Sequence, residues 1–343
     1  MDDLLSIPSR KEDHIRINLE EDVASNIKPG FERFRFIHQA LPEIKLDDVD
    51  VGLSMFGKKL NSPLFISSMT GGARRAADIN QRLAEAAQAE GIALGLGSQR
   101  AALENQEYQK TFQVRQWAPD ILLFANLGAV QLNYGYSLDH CRRAVEMVEA
   151  DALILHLNPL QEALQPEGDT NFSGLAKKIE LICRELPVPV IVKEVGWGIS
   201  EKAAGMLADA GVAAIDVAGA GGTSWSQVEL YRMKDDTQKY VASAFLNWGI
   251  PTTESIQMVT KAVPNLPVFA SGGVQNGVDI AKAIALGAKL CGLAGPFLRA
   301  AVISTDDVVR LITILRKQLQ ITMFAAGVKN LAELGQLTLE EEK

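Results

Sequence analysis

Eight short apolar runs between residues 63 and 294, separated by stretches of helical periodicity, limit what this chain can fold into. They cover 63–69, 92–97, 121–126, 152–158, 188–193, 213–217, 266–271 and 288–294. Runs this short and this free of charge read as parallel strands buried on both faces. Apolar residues recur with helical spacing over 75–90, 138–150, 172–185, 200–210, 253–262, 277–286 and 306–323. Strand followed by helix around one ring predicts an α/β protein of the (β/α)8 barrel type. The barrel is expected over 61–324, with an N-terminal extension over 1–60 covering its mouth and a C-terminal tail over 325–343. Phe31, Phe34 and Phe36 in the extension argue that it packs rather than floats. A doubly wound dinucleotide fold is the competing architecture, but no G-x-G-x-x-G follows an early strand; Gly95-Leu96-Gly97 lacks the third glycine.

Two glycine turns point to an anion. Ser271-Gly272-Gly273 and Gly292-Leu293-Ala294-Gly295 close the last two runs. Each alone is an ordinary tight turn. Paired on consecutive strands, they match the place where barrel enzymes hold phosphate, with backbone N–H groups converging on the ligand. Charge supplies no wider field for anions, because 34 Lys and Arg face 42 Asp and Glu, a net charge of −8. Nucleic acid and anionic membranes are therefore not expected partners. The three cysteines lack metal-ligand spacing, no apolar stretch approaches the length of a membrane span, and Met1-Asp2-Asp3-Leu4-Leu5 does not open a signal peptide. A cytoplasmic location is expected.

Chemistry in a barrel sits where the strands end. Met69-Thr70-Gly71-Gly72 follows the first run, Ser98-Gln99-Arg100 the second, Asn126 closes the third, and His156, Asn158, Gln161 and Glu162 end the fourth. A lone histidine or glutamate at such a position is often structural. Lys193 is different, since an ammonium after Val190-Ile191-Val192 is costly to bury without an anionic or ring acceptor. His156 and Asn158 alternate on one strand and share a face. Arg10, Lys11 and Arg100, if folded over the mouth, make a second anion site, and Glu162 has the hard oxygen chemistry of a magnesium ligand bridging to diphosphate. Two anion sites imply one doubly phosphorylated ligand, or a phosphorylated cofactor facing a phosphorylated substrate; the second uses more of these residues.

The assembled motifs resemble the type 2, FMN-dependent isopentenyl-diphosphate isomerase family along the whole chain. The specific pieces are Arg10-Lys11-Glu12-Asp13-His14 and His156-Leu157-Asn158-Pro159-Leu160-Gln161-Glu162. Ser67-Ser68-Met69-Thr70-Gly71-Gly72, Gly97-Ser98-Gln99-Arg100, Lys193-Glu194-Val195-Gly196 and Gly219-Ala220-Gly221-Gly222-Thr223-Ser224-Trp225 add to them. The resemblance implies FMN phosphate at Gly272, Gly273, Ala294 and Gly295, and the flavin ring and ribityl chain at Met69, Thr70, Ser98, Asn126, Lys193 and Thr223. It gives the substrate diphosphate to Arg10, Lys11, Arg100, His156 and Gln161, with Asn158 and Trp225 lining the pocket and Mg2+ on Glu162.

The implied reaction interconverts isopentenyl and dimethylallyl diphosphate without net redox change, using reduced FMN maintained by NADPH or another reductant. A proton is added to the terminal alkene carbon and another removed beside the CH2–O–diphosphate group. In the family picture the flavin N5 region leads proton exchange and its electron-rich face stabilises a tertiary cation. Lys193 favours the anionic flavin, His156 belongs to the catalytic set, and Gln161 assists proton removal without being a general base. A homotetramer, or a homo-octamer of stacked tetramers, is implied.

An FMN oxidoreductase of 2-hydroxy acids is the sibling reading. It needs a late histidine base, whereas all four histidines lie at or before His156. A covalent thiohemiacetal-like dehydrogenase step is disfavoured because the 219–225 loop lacks cysteine. A silent metabolite-binding barrel would bind flavin without turnover.

Overall fold

In the computed structural model the eight runs close into one all-parallel barrel. The structure describes residues 7–69, 71–72 and 74–342, apart from the side chains of residues 7–10, 74 and 75. Its strands are β1 (Leu64–Ile66), β2 (Ala93–Gly95), β3 (Leu123–Gly128), β4 (Ala152–Leu157), β5 (Val190–Glu194), β6 (Ala214–Asp216), β7 (Val268–Ser271) and β8 (Leu290–Leu293). Neighbours follow chain order, and β8 meets β1 with Cys291 opposite Leu64 and Leu293 opposite Ile66.

Alternation along the strands explains why the runs are apolar throughout. Phe65, Phe124, Ile154, Ile191, Phe269 and Leu290 form a cluster inside the ring, while Leu64, Ile66, Leu123, Leu153 and Leu155 pack outward under the helices. Inside, Phe65, Phe124 and Phe269 meet with ring centroids 5.8–6.3 Å apart. Burying each such ring stabilises the barrel by about 1.5–3 kcal/mol. Gly292 in β8 is fixed by this packing, because a Cβ there would lie 2.3 Å from the Phe65 ring.

The N-terminal extension works at both ends of the barrel. A hairpin, Leu53–Met55 with Lys58–Leu60, buries Met55 and Leu60 against the inner cluster. Lys58 donates to the carbonyl of Asp120 and pairs with Asp151, both just upstream of strands, so the hairpin plugs the end opposite the mouth. Phe31 and Phe34 are buried, as their composition implied. At the mouth lies a helix, Ile7–Glu20, and beyond it Ser25 N–H donates to Gly222 O and Ser224 N–H to Val23 O. The tail is clasped to the extension: Glu340–Glu341 pairs antiparallel with Phe34–Arg35, and Arg33 bridges Glu254 and Glu341.

Several local expectations shift. Asn126 lies within β3, two residues before its end. The 172–185 helix starts at Leu175, because Gly174 adopts a left-handed conformation at its N-cap. After β2 the chain makes only a short helix, Arg100–Glu104, and 3-10 turns. The β6 loop continues into two helices, Trp225–Arg232 and Asp236–Ser243, and β8 runs into a helix, Gly295–Ile303, ahead of the long Thr305–Ala325. Among the described residues no helix is long and apolar enough to cross a membrane.

Candidate active site

The mouth holds a cavity of about 700 Å³ lined by the ends of the strands and by the N-terminal helix. One end is built from backbone. Gly272 and Gly273 turn with φ of 101° and 75°, a region that favours glycine, and a Cβ on Gly272 would sit 2.1 Å from Gly219 O. A Cβ on Gly222 would meet the Gly273 nitrogen at 2.7 Å. Opposite, the Gly295–Ile303 helix begins with Pro296 in its first turn and directs its free amide groups toward the same end. Arg299, one turn in, also lines the cavity, and no carboxylate of the described residues pairs with it. Glycine amides, a helix N-terminus and a guanidinium together make a cradle with the chemistry to hold a phosphate.

Lys193 and Ser271 line the cavity between its ends. The ammonium is 6 % exposed and donates to Glu194 O at 3.0 Å and Ser271 Oγ at 3.2 Å. The next residue, Glu194, turns the other way and accepts the amides of Val195, Gly196 and Trp197, fixing the loop after β5. Burial pushes Glu194 up to about 7, against the downward pull of those amides.

The other end is made of side chains. His156 Nδ1–H donates to Asn126 Oδ1 at 2.8 Å, which orients the imidazole. The Pro159–Leu164 helix, with proline in its first turn, presents Gln161 and Glu162 together. Asn158 Nδ2 donates to Gln161 Oε1 at 3.1 Å and to Glu162 Oε1 at 2.8 Å, while Glu162 Oε2 accepts Asp169 N–H at 2.7 Å. Gln161 Nε2 donates to Glu229 Oε1 at 3.0 Å. Glu229 is the hub: it also accepts from His14 Nε2 at 3.1 Å and pairs with Arg232 at 2.6 Å, at 1 % exposure. Burial alone would raise its pKa; the bond and charge of His14, then Arg232 and Gln161, outweigh it and hold the carboxylate down at about 2. His14 also meets Trp225 edge-on, centroids 5.1 Å apart.

The cavity collects Lys11, Met69, Ser98, Arg100, Asn126, His156, Asn158, Gln161, Glu162, Lys193, Thr223, Trp225, Gly272, Gly273, Ala294 and Gly295. Thr70 and the Arg10 side chain lie outside the described residues. Lys11 reaches across to donate to Ser98 O at 2.8 Å. Arg100 is held by Glu104 and Asp169, at 2.9 and 2.8 Å. Sequence reasoning passed over Glu229, Arg299 and His14 as site residues. Glu229 and His14 become neighbours only through the fold. Arg299 was legible in principle, since Gly295-Pro296 opens a helix and the fourth residue on returns to its first turn.

The donor set fits the groups that the motifs imply. The glycines leave space that a Cβ would fill at the phosphate end. At the other end Asn158 Oδ1 is buried without a hydrogen-bond partner among the described residues, a position a ligand would satisfy. Among the described residues no group of three or more His, Cys, Asp or Glu is placed to hold a metal ion.

Residues 148–341 match the FMN-dependent dehydrogenase family, the class that this barrel and its phosphate cradle define. A mandelate oxidase solved with an FMN adduct shares the fold at a TM-score of 0.67 and 19 % identity, over 97 % of this chain and 98 % of that one. Isopentenyl-diphosphate delta-isomerase of Synechocystis is 57 % identical over 97 % of this chain and 96 % of its own length. The enzyme of the same name from Nostoc is 54 % identical over 95 % and 93 %. This chain belongs to the isopentenyl-diphosphate delta-isomerase family.

Proposed function

We propose that this protein interconverts isopentenyl and dimethylallyl diphosphate with bound reduced FMN and Mg2+, without net redox change. The observation that carries this reading is the single cavity with a backbone phosphate cradle at one end and the Asn158–Gln161–Glu162–Glu229 network at the other. That pairing suits a phosphorylated cofactor facing a phosphorylated substrate.

Gly272, Gly273, Ala294 and Gly295, with Arg299, hold the FMN phosphate in this reading. Met69, Thr70, Ser98, Asn126, Lys193 and Thr223 hold its ring and ribityl chain. Bound in reduced form, FMN supplies an electron-rich face to a developing tertiary cation and a ring that exchanges protons. Arg10, Lys11, Arg100, His156 and Gln161 would bind the diphosphate, and Glu162 would hold Mg2+. Asn158 and Trp225 line the C5 chain. Lys193 opposes the negative charge of the reduced cofactor. Glu229 takes the amide NH2 of Gln161 and Asn158 donates to its carbonyl, so the Gln161 side chain is held in one orientation beside the substrate. The mouth is closed by the 1–60 extension, the 61–324 barrel carries the site, and the 325–343 tail clasps the extension. NADPH serves as reductant, and the working form is a cytoplasmic homotetramer or homo-octamer.

Burial pushes the Cys141 and Cys183 thiols up to about 12 and about 11, which leaves neither as a thiolate nucleophile. An anaerobic assay tests the reading. Reduced holoprotein with Mg2+ should exchange the two C5 diphosphates, and oxidised holoprotein should not. Equal rates in both flavin states, or no exchange in either, would refute it; omitting Mg2+ should cut turnover sharply.

A further inference from the structure

The lysine in the cavity wall has a carboxylate behind it. Asp216 Oδ2 is 3.1 Å from the Lys193 ammonium, and Asp216 Oδ1 accepts from Ser271 Oγ at 2.7 Å. Lys193 donates to Ser271 as well, so the three residues close a triangle at the C-terminal ends of β5, β6 and β7. Lys193 and Ser271 face the cavity; Asp216 is 1 % exposed and flanked by fully buried Ile215 and Val217.

Stability does not explain this arrangement. A buried ion pair gains little over a well-packed apolar substitute, since two charges must leave water. Hydrogen bonding does not explain it either, because Glu194 O and Ser271 Oγ take two of the three ammonium protons and Asp216 Oδ2, though 3.1 Å away, makes no hydrogen bond among the described residues. What Asp216 adds is charge. An ammonium alone projects a monopole through the cavity. With a carboxylate 3.1 Å behind it, the pair is a dipole with its positive end toward the ligand, and its field falls off faster with distance.

We propose that Asp216 is a positioning residue that tempers Lys193, limiting how strongly the lysine favours the reduced, anionic cofactor. This rests on the FMN reading above. Lys193 then acts on the ring nearest to it without over-stabilising reduced flavin, and the diphosphate has less incentive to settle at the wrong cation. Asp216, whose Oδ1 also accepts from Ala218 N–H at 3.3 Å, acts on the ligand through Lys193 and Ser271.

The test compares wild-type holoprotein with Asp216→Asn by anaerobic dye equilibration, with the near-ultraviolet absorbance of the reduced flavin followed against pH. The neutral variant should shift the flavin couple toward the reduced form by tenfold or more, about 30 mV per tenfold for two electrons. The N1 titration of reduced flavin should move to lower pH, with FMN affinity within threefold of wild type. Asp216→Glu, which keeps the charge, should stay near the wild-type potential. Asp216→Ser is the second neutral variant, should the first fail to fold, and should shift the same way. An unchanged or more negative potential in a folded neutral variant overturns the proposal and leaves the FMN reading standing. Wild-type protein that binds no FMN overturns both.

Discussion

The two ends of the cavity are built from different chemistry. At the cradle, glycine amides and a helix N-terminus are supplied by backbone that the barrel already holds rigid, and Arg299 is the main side chain. At the other end, His14, Asn126, His156, Asn158, Gln161, Glu162, Glu229 and Arg232 hold one another through side-chain bonds drawn from distant parts of the chain. In the reading proposed, the backbone end recognises a common group, phosphate. The side-chain end carries charge, depends on the N-terminal helix and is where one reaction is distinguished from another.

Four experiments bear on that contrast. The largest effect is expected from Gly272→Ala, which puts a Cβ against Gly219 O at a φ of 101°. Purified variant should lack flavin absorbance and lose more than about 2 kcal/mol of stability in thermal melts. Full flavin content with a wild-type melt would show that the cradle is not the rigid half.

Glu229→Gln should do the reverse, keeping FMN while turnover falls about 100-fold, because it removes the charge that orients Gln161 and pairs His14. A rate within threefold of wild type would detach this network from chemistry.

The same carboxylate makes the two ends differ in acid. Its pKa is about 2 in the folded chain against an ordinary 4.5, so its contribution to stability is full above about pH 4.5 and is lost as pH falls from there through about 2. The loss amounts to about 3 kcal/mol. Denaturant melts between pH 5 and pH 2, at roughly half-unit steps, should show a shallower acid slope in Glu229→Gln. Parallel slopes in the two proteins would place the acid sensitivity elsewhere.

The smallest effect is expected at Arg299. Removing one charge-assisted contact from a cradle otherwise made of amides should weaken FMN about tenfold in Arg299→Gln, with riboflavin affinity unchanged. Fluorescence titration checks both; equal losses for the two flavins would mean that Arg299 supports the helix rather than the phosphate.

The ring of strands was legible because both faces of each strand are buried, leaving short apolar runs almost unbroken by charge. The Gly295–Ile303 helix was not, since its glycine and proline resemble the end of a turn and it follows β8 with no loop between. The helices over 225–243 were hidden by a pattern that is only weakly amphipathic, their buried residues being mostly small or polar. Lys193 was conspicuous because a charge interrupts an apolar strand. Asp216 closes a short strand, but its partner lies on the neighbouring strand, and nothing local announces a pair.

By itself the sequence determined the barrel, the placement of glycine turns on the last two strands, and the family motifs at the mouth. These depend on local patterning, and a chain cannot conceal short apolar runs or glycine turns. Tertiary structure alone decided that His14 meets Glu229, that Asp216 backs Lys193, and that one extension plugs one end of the barrel and roofs the other. Those contacts join residues up to hundreds of positions apart. Their energies depend on burial and distance, which exist only once the ring has closed.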